Sequence, residues 1–223
     1  MNCIICNGPV GFYFSRHFGQ YGLEDVEYWR CEECGFTFSK THAEMDGQAW
    51  QQVNRRFHEE FFGSALNKLD LRWVSRLNRQ AELLADATDI GLLPRTGKWL
   101  DYGCGDGKLS ELMKKNHGLT LLKYDEYLPA SPDCLAGDDL KPGGFDFVIT
   151  TSLFEHITTR EHLDRVHSLV SPEGAMGLHT LVRKEIPKDP DWFYLHPVHC
   201  AFFTNESMRI LLLQWGYSCS VYN

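Results

Sequence analysis

The chain has 223 residues, 43% of them hydrophobic and 23% charged, a composition typical of a globular protein with one α/β domain and a small appendage. Acidic residues outnumber Lys and Arg by 30 to 22, and the formal charge of −8 argues against non-specific binding to nucleic acid. No apolar run approaches the roughly 18 residues that a membrane span needs, so we expect no membrane association.

Residues 1–40 are predicted to form a zinc ribbon. They contain two C-x-x-C pairs, Cys3 with Cys6 and Cys31 with Cys34, and four thiolates in two close pairs suit tetrahedral zinc. So small a segment buries little apolar core, and the metal would therefore supply its folding energy. Disulfides, unliganded thiols and a redox C-x-x-C remain alternatives. Cysteines also stand where a signal peptide would be basic, so we expect a cytoplasmic protein.

Residues 41–94 are predicted to form a helical linker. Apolar side chains recur every four residues from Met45 to Phe61, and at three and four residues from Leu66 to Leu84. Both patterns are typical of amphipathic helices whose apolar stripe packs on a neighbouring sheet. The remaining residues, 95–223, form the third predicted segment.

A glycine-rich turn opens this third segment. The strand Lys98 to Tyr102 contains Asp101, and the sequence continues as D-x-G-x-G-x-G before a helix over residues 108–116. Glycines suit such a turn because they tolerate positive φ and let the backbone approach a ligand closely. The dinucleotide fingerprint G-x-G-x-x-G would need its third glycine at Lys108, so an NAD-dependent oxidoreductase is the weakest interpretation. The three glycines are Gly103, Gly105 and Gly107.

The turn resembles motif I of the class I S-adenosylmethionine (SAM) methyltransferases. That resemblance implies a Rossmann-like, doubly wound, mostly parallel α/β sheet that binds SAM. In this family the segment before motif I often covers the cofactor, so a lid role is an alternative for the first helix of the 41–94 linker. The resemblance also implies roles for acids after the next strands: Asp125 for the ribose hydroxyls, and Asp138, with Asp139 beside it, for the adenine amino group. The segment after Thr150 is similar to the family's fourth motif, which adds Ser152 to the cofactor site.

The whole chain resembles a bacterial group of zinc-ribbon methyltransferases linked to sugar and natural-product pathways. The segment His196 to Thr204, followed by Ser207-Met208 and Gly216-Tyr217, matches a late pattern of small-molecule members. The implied acceptor is therefore a sugar or a secondary metabolite. Only Ser218 to Asn223 remain for the closing strands, so the sheet lacks its last strand, the chain is truncated, or a partner such as a second copy completes the edge.

Three histidines are the candidate general bases for methyl transfer. His199 is the first choice and His156 the second, with His196 third, because histidine titrates near neutrality and all three follow predicted strands. The alternative for each histidine is a hydrogen bond to the backbone in a packed loop, and a second metal site at His196, His199 and Cys200 is not expected.

Two other functions compete with a small-molecule methyltransferase. An RNA methyltransferase would bind its substrate through the ribbon, but residues 1–40 contain five acids and only three cations, Arg16, Arg30 and Lys40. A non-catalytic protein could retain the SAM fold, and the intact acids of the cofactor site do not by themselves establish turnover.

Overall fold

The computed structural model describes residues 1–63, 71–127, 132 and 134–217. The predicted last strand, 218–223, therefore lies outside the described residues. The chain separates into two compact units. The first unit comprises Met1–Ser64, Phe154–Leu163 and Thr180–Asn223, and the second comprises Ala65–Leu153 and Asp164–His179. The boundaries proposed at 40 and 94 stay a prediction.

Strands and helices follow one another along the described chain. In order they are β1 Val10–Gln20, β2 Leu23–Cys31, β3 Thr37–Ser39, α1 Lys40–Ala43, α2 Gly47–Gly63, α3 Leu71–Asp89, β4 Trp99–Tyr102, α4 Lys108–Leu112, β5 Leu121–Tyr124, β6 Phe145–Thr151, α5 Arg160–Ser168, β7 Val170–His179, β8 Val182–Arg183, β9 Ala201–Thr204 and α6 Asn205–Gln214. No helix in the described ranges is both long and apolar enough to cross a bilayer.

The sheet of the second unit has the strand order β5-β4-β6-β7, and all its described pairings are parallel. This confirms the predicted parallel α/β sheet. Its core explains the apolar stripe of the second predicted helix, because Leu77 and Ala81 of α3 pack with Trp99 and Phe147 of the sheet. The Trp99 and Phe147 rings meet edge to face at 4.8 Å.

The sheet of the first unit joins distant parts of the chain. Its order is β1-β2-β3-β9-β8, with β9 antiparallel to β3 and β8 parallel to β9. Aromatic residues form its core, where Phe14 and Tyr28 stack at 4.9 Å and Tyr28 contacts Phe202 of β9. The N-terminal strands thus share one sheet with strands that follow residue 180.

The local sequence predicts a turn and two helix caps, and the structure differs at two of these three places. Ser171-Pro172-Glu173-Gly174 predicts a turn, but it forms a bulge inside β7, since Val170 already pairs with Phe145 and Ala175 pairs with Phe147.

Thr158, three residues before Glu161, predicts a helix cap, but the cap is one residue later, because Thr159 Oγ1 accepts from the backbone N–H of His162. Thr204 is likewise predicted to cap the helix that follows it, and this is confirmed, since its Oγ1 accepts from the N–H of Ser207 at 3.0 Å.

Candidate functional site

The glycine turn between β4 and α4 has the conformation that its sequence demands. Gly103, Gly105 and Gly107 all lie in the left-handed region, at φ of 75°, 53° and 72°. A Cβ on Gly107 would lie 2.8 Å from Cδ of Lys123, whereas a Cβ on Gly105 would meet nothing within 4 Å. Gly107 is therefore required by packing, while the space above Gly105 stays open to a ligand.

Asp125 follows β5 and fixes the shape of the glycine turn. Its Oδ2 accepts from the backbone N–H of Gly105 at 2.9 Å, and its Oδ1 accepts from the N–H of Tyr127 at 3.0 Å. A carboxylate has about four acceptor sites, so both oxygens can still accept from ligand hydroxyls. The structure thus places the predicted ribose ligand directly beside the predicted cofactor turn.

Asp101 on β4 is buried rather than presented to solvent. It is 1% exposed, its Oδ2 accepts from the Ser110 hydroxyl at 3.3 Å, and its Oδ1 has no partner among the described atoms. Burial raises the pKa of Asp101 to about 7. The carboxyl therefore lies under the turn, and its unpartnered oxygen is the part available to a ligand or a bound water.

The two acids after β5 and before β6 lie on one short 3₁₀ turn, Gly137–Asp139. Asp139 closes that turn, because its Oδ2 accepts from the N–H of Ala136 at 2.9 Å. Asp138 is exposed beside it. Of the two, Asp138 takes no part in this local bond, and its role as an adenine ligand stays a prediction.

Ser152 ends β6 in a strained conformation. Its φ is 57°, which is uncommon for a residue other than glycine. Its Oγ lies 3.4 Å from Nδ1 of His179 and 3.4 Å from Nη1 of Arg76. The carboxyl ends of β4, β5 and β6 therefore carry the glycine turn, Asp125 and this polar group at one edge of a parallel sheet, where open α/β sheets bind ligands.

The four N-terminal cysteines lie together in the first unit. Their Sγ atoms are all within 4.8 Å of one another, with 3.7 Å between Cys3 and Cys34 and 3.4 Å between Cys6 and Cys31. Tetrahedral zinc with Zn–S bonds of about 2.3 Å would place its sulfurs about 3.8 Å apart. None of the four is in a disulfide. The hydrogen bond between Cys3 and Cys34 lowers the pKa of the Cys3 thiol to about 5 and raises the pKa of Cys34, while burial raises the pKa of Cys6 to about 11, so without a metal Cys3 is the thiol of these three that ionises first.

A second cluster of the first unit contains two of the predicted bases. Glu155 and His156 lie on the 3₁₀ turn Phe154–His156, and the rings of His156 and His199 meet edge to face at 5.0 Å. His196 is exposed, with its ring 4.9 Å from that of His199. The structure thus brings all three predicted histidines into one cluster, and it adds Glu155 to them.

Burial keeps the inner histidines neutral. It lowers the pKa of His156 and of His199 to about 3, with neighbouring histidines adding to the effect in each case. At neutral pH both rings are therefore uncharged, and each has a lone pair for a proton or a metal ion.

The comparisons with known proteins bear on the second unit above all. A methyltransferase domain model matches residues 68–220, more than half of the chain, whereas no curated protein matches it. The chain belongs to the methyltransferase domain family. It is a SAM-dependent methyltransferase, and the predicted fold and enzyme class are confirmed at that level.

The residues of the methyltransferase fit SAM. The turn offers an open space above Gly105, the carboxylate of Asp125 is anchored beside it, and Asp101 retains an unpartnered oxygen. Arg76 is a residue that the sequence analysis missed. Its guanidinium lies at Ser152, and arginine suits the carboxylate of an amino acid, but nothing in the pattern of α3 separates this arginine from its neighbours.

Glu155 was also missed. It directly precedes the predicted base in Phe154-Glu155-His156. This short sequence is compatible with either a buried or an exposed acid. Only the fold shows that its side chain is 1% exposed, and this could not be inferred because charged residues are seldom buried without a partner.

Proposed function

We propose that this methyltransferase acts on a small-molecule acceptor, a sugar or a secondary metabolite, and that its four N-terminal cysteines hold a structural zinc ion. The observation that supports a small-molecule acceptor over RNA is how the three cations in residues 1–40 are bonded. RNA binding would need such cations to be available to phosphate.

All three cations are engaged within the first unit. Arg16 donates to the carbonyl oxygen of Leu195 at 2.9 Å and lies over the ring of Phe18. Arg30 lies over the ring of Tyr13, 5.5 Å from its centre. Lys40 lies over the ring of Trp29 and 3.6 Å from a carboxylate oxygen of Glu44. These contacts favour a structural role for the ribbon segment over a nucleic-acid surface.

In this proposal the cofactor is held by the edge of the parallel sheet. The glycine turn would accommodate its amino-acid portion, Asp125 its ribose hydroxyls, and Asp138 with Asp139 its adenine. Ser152 and Arg76 would complete the site at the end of β6. When bound, SAM supplies an electrophilic methyl group, and most of the acceleration then comes from holding the acceptor in line with it.

The histidine cluster is the proposed proton acceptor. An aliphatic hydroxyl or carbon acid needs a base in addition to positioning. His199 is the first candidate, His156 the second and His196 the third. In support, Nδ1 of His199 is oriented by the carbonyl oxygen of Tyr194 at 2.8 Å, which leaves its Nε2 with a lone pair for a proton.

Transfer of a labelled methyl group tests the acceptor class. The purified protein would be incubated with methyl-labelled SAM and, separately, with a small-molecule extract, a set of deoxysugars and total RNA. We expect label in the small-molecule fractions. Ribonuclease-sensitive label in the RNA sample alone would establish the RNA alternative, and SAM binding without transfer to either would support the non-catalytic one.

The variant His199→Ala tests the proton acceptor. We expect turnover to fall by about 100-fold or more, within the range usual for a general base. Calorimetry should show unchanged SAM affinity, because His199 lies outside the proposed cofactor residues. Near-normal turnover would remove His199 from the mechanism, and His17→Ala, an exposed histidine paired with Asp25, is the matched control.

A further inference from the structure

Glu155, His156 and His199 bring three metal-ligating side chains to one place in the first unit. One ligand atom from each lies within 4.8 Å of the others. Glu155 is 1% exposed, and its neighbours in the cluster are two imidazoles rather than a lysine or an arginine. The three residues come from a 3₁₀ turn and from the segment before β9, so the tertiary structure alone assembles them.

Two of the three side chains use one polar atom for a hydrogen bond, and all three keep another atom for a ligand. Oε1 of Glu155 accepts from the hydroxyl of Tyr194 at 2.7 Å, whereas its Oε2 is buried without a partner. Nδ1 of His199 must donate to the carbonyl oxygen of Tyr194, since that oxygen can only accept, and this leaves Nε2 with a lone pair. Nδ1 of His156 is buried without a partner.

This division of roles is characteristic of metal ligands. Ligating histidines generally donate their other ring N–H to a carbonyl or carboxylate, and ligating carboxylates are themselves hydrogen-bonded. Tyr194 here contacts two of the three side chains, through its hydroxyl and through its carbonyl. Leaving a buried polar atom unpaired costs free energy, and more so for a charged group, so two such atoms in one cluster indicate that a ligand pairs with them.

A cation is the group that would satisfy them. Within the described ranges, no salt bridge reaches Glu155. A buried carboxylate is normally paired with a cation or coordinated to a metal. Two imidazole nitrogens and one carboxylate oxygen form a donor set that suits zinc and related first-row ions.

We propose that Glu155, His156 and His199 bind a divalent transition-metal ion of the zinc class, separate from the four-cysteine cluster. Three protein ligands leave a coordination position open, as in catalytic rather than structural sites, and that position would take an oxygen ligand. The site rests on its own contacts and not on the acceptor class proposed above. If occupied, it engages His156 and His199 as ligands and leaves the exposed His196 as the proton acceptor.

Metal content and cobalt spectroscopy test this site directly. Protein carrying one equivalent of zinc would be titrated with Co²⁺ and monitored by absorption, and total metal would be measured after gel filtration. We expect a second equivalent to bind with d–d bands but without thiolate-to-cobalt charge transfer, because no cysteine belongs to the site. Retention of one equivalent only, or charge transfer accompanying every bound cobalt, would overturn the proposal.

Variants locate the second ion. Glu155→Gln and His199→Ala should each weaken the second equivalent by at least about 100-fold, since each removes a direct ligand. Tyr194→Phe should weaken it by about 10-fold, because that change removes only a hydrogen bond to a ligand. His196→Asn is the matched control, a neighbouring histidine outside the ligand set, and should retain both equivalents. A second equivalent that survives both ligand variants would refute the assignment.

Two further measurements keep the outcomes distinct. Circular dichroism shows whether each variant is folded, and Glu155→Gln preserves the shape of the side chain. Calorimetry with SAM on the same samples reports the cofactor site of the second unit. Loss of the second metal with normal SAM affinity would support the metal site alone, whereas loss of SAM binding in the wild type would count against the cofactor assignment and not against the metal.

Discussion

The two units of this methyltransferase build their sites in opposite ways. In the second unit the candidate cofactor residues follow successive strands of one parallel sheet, and they occur along the chain in the order of those strands. In the first unit both ligand clusters join distant segments: Cys3 meets Cys34, and Glu155 meets His199. The sites of the second unit can therefore be anticipated from spacing, whereas the second cluster of the first unit requires the fold.

The units also differ in how far their buried polar groups have hydrogen-bond partners. In the second unit the buried Asp101 is partly satisfied by a side chain of α4, Ser110. In the first unit four thiols lie close together, and a Glu–His–His group has two buried atoms without a partner, Oε2 of Glu155 and Nδ1 of His156. Cations would stabilise the first unit most, and a nucleotide-bearing ligand would stabilise the second.

Removal of a cysteine ligand should have the largest effect. In Cys34→Ser we expect the loss of one zinc equivalent and a fall in the melting temperature by about 10 °C, because binding energy in a structural zinc site is folding energy. Zinc analysis and thermal unfolding measure both. Cys134→Ser, which changes a buried cysteine of the second unit, is the control and should keep its zinc. An unchanged zinc content in Cys34→Ser would contradict the ribbon assignment.

Loss of the Asp125 carboxylate, which follows β5, should have the second-largest effect. Asp125→Ala removes the acceptor for the N–H of Gly105 as well as the proposed ribose ligand. We expect SAM affinity, measured by calorimetry, to fall by about 100-fold, since hydrogen bonds to a charged group contribute about 1.5–3 kcal/mol. Asp106→Asn alters an exposed acid of the same turn and should leave the affinity within about threefold. Equal SAM affinities in Asp125→Ala and Asp106→Asn would show that Asp125 is not part of the cofactor site.

The first unit should also lose stability in acid through His42. This buried ring bonds Ser39 and the carbonyl oxygen of Pro197, and burial lowers its pKa to about 4 from 6.5. Because the unfolded chain takes up the proton first, the free energy of unfolding should fall as pH drops from about 6.5 towards 4, by about 2 kcal/mol between pH 7 and 5.

Chemical denaturation of the wild type and of His42→Asn across this range isolates the contribution of that histidine. His156 and His199, which are half-buried and whose pKa values are also lowered, act in the same direction and remain in both proteins. The variant should therefore show the shallower pH dependence. Parallel curves for the two proteins would show that His42 titrates in the folded state much as it does in the unfolded state.

The smallest expected effects separate two glycines of one turn. Gly107→Ala combines positive φ with a contact at 2.8 Å to Lys123, so we expect a loss of about 2 kcal/mol in the free energy of unfolding. A Cβ at Gly105 would meet nothing within 4 Å, so Gly105→Ala should lower the free energy of unfolding by only about 1 kcal/mol. It should nevertheless weaken SAM binding more than Gly107→Ala does. Equal losses of SAM affinity in the two variants would argue against a ligand above Gly105.

Local patterns predicted much of the second unit, and the reasons are visible in particular residues. The D-x-G-x-G-x-G turn has the positive φ angles that its glycines indicate, and the helix stripe that includes Leu77 packs on the sheet. The apolar run before Thr151 is a central strand, as expected of a strand buried on both faces. The bulge in β7 was mistaken for a turn, because Ser-Pro-Glu-Gly is typical of both.

The sequence by itself determined the glycine turn, the two cysteine pairs and the alternation of strands and helices that indicates a parallel sheet and the methyltransferase class, because each of these patterns lies in residues close together in the chain. Only the tertiary structure decided that β3 pairs with β9, that Glu155 is buried, and that it lies beside His156 and His199. Burial and long-range pairing depend on how the whole chain packs, and no local spacing encodes them.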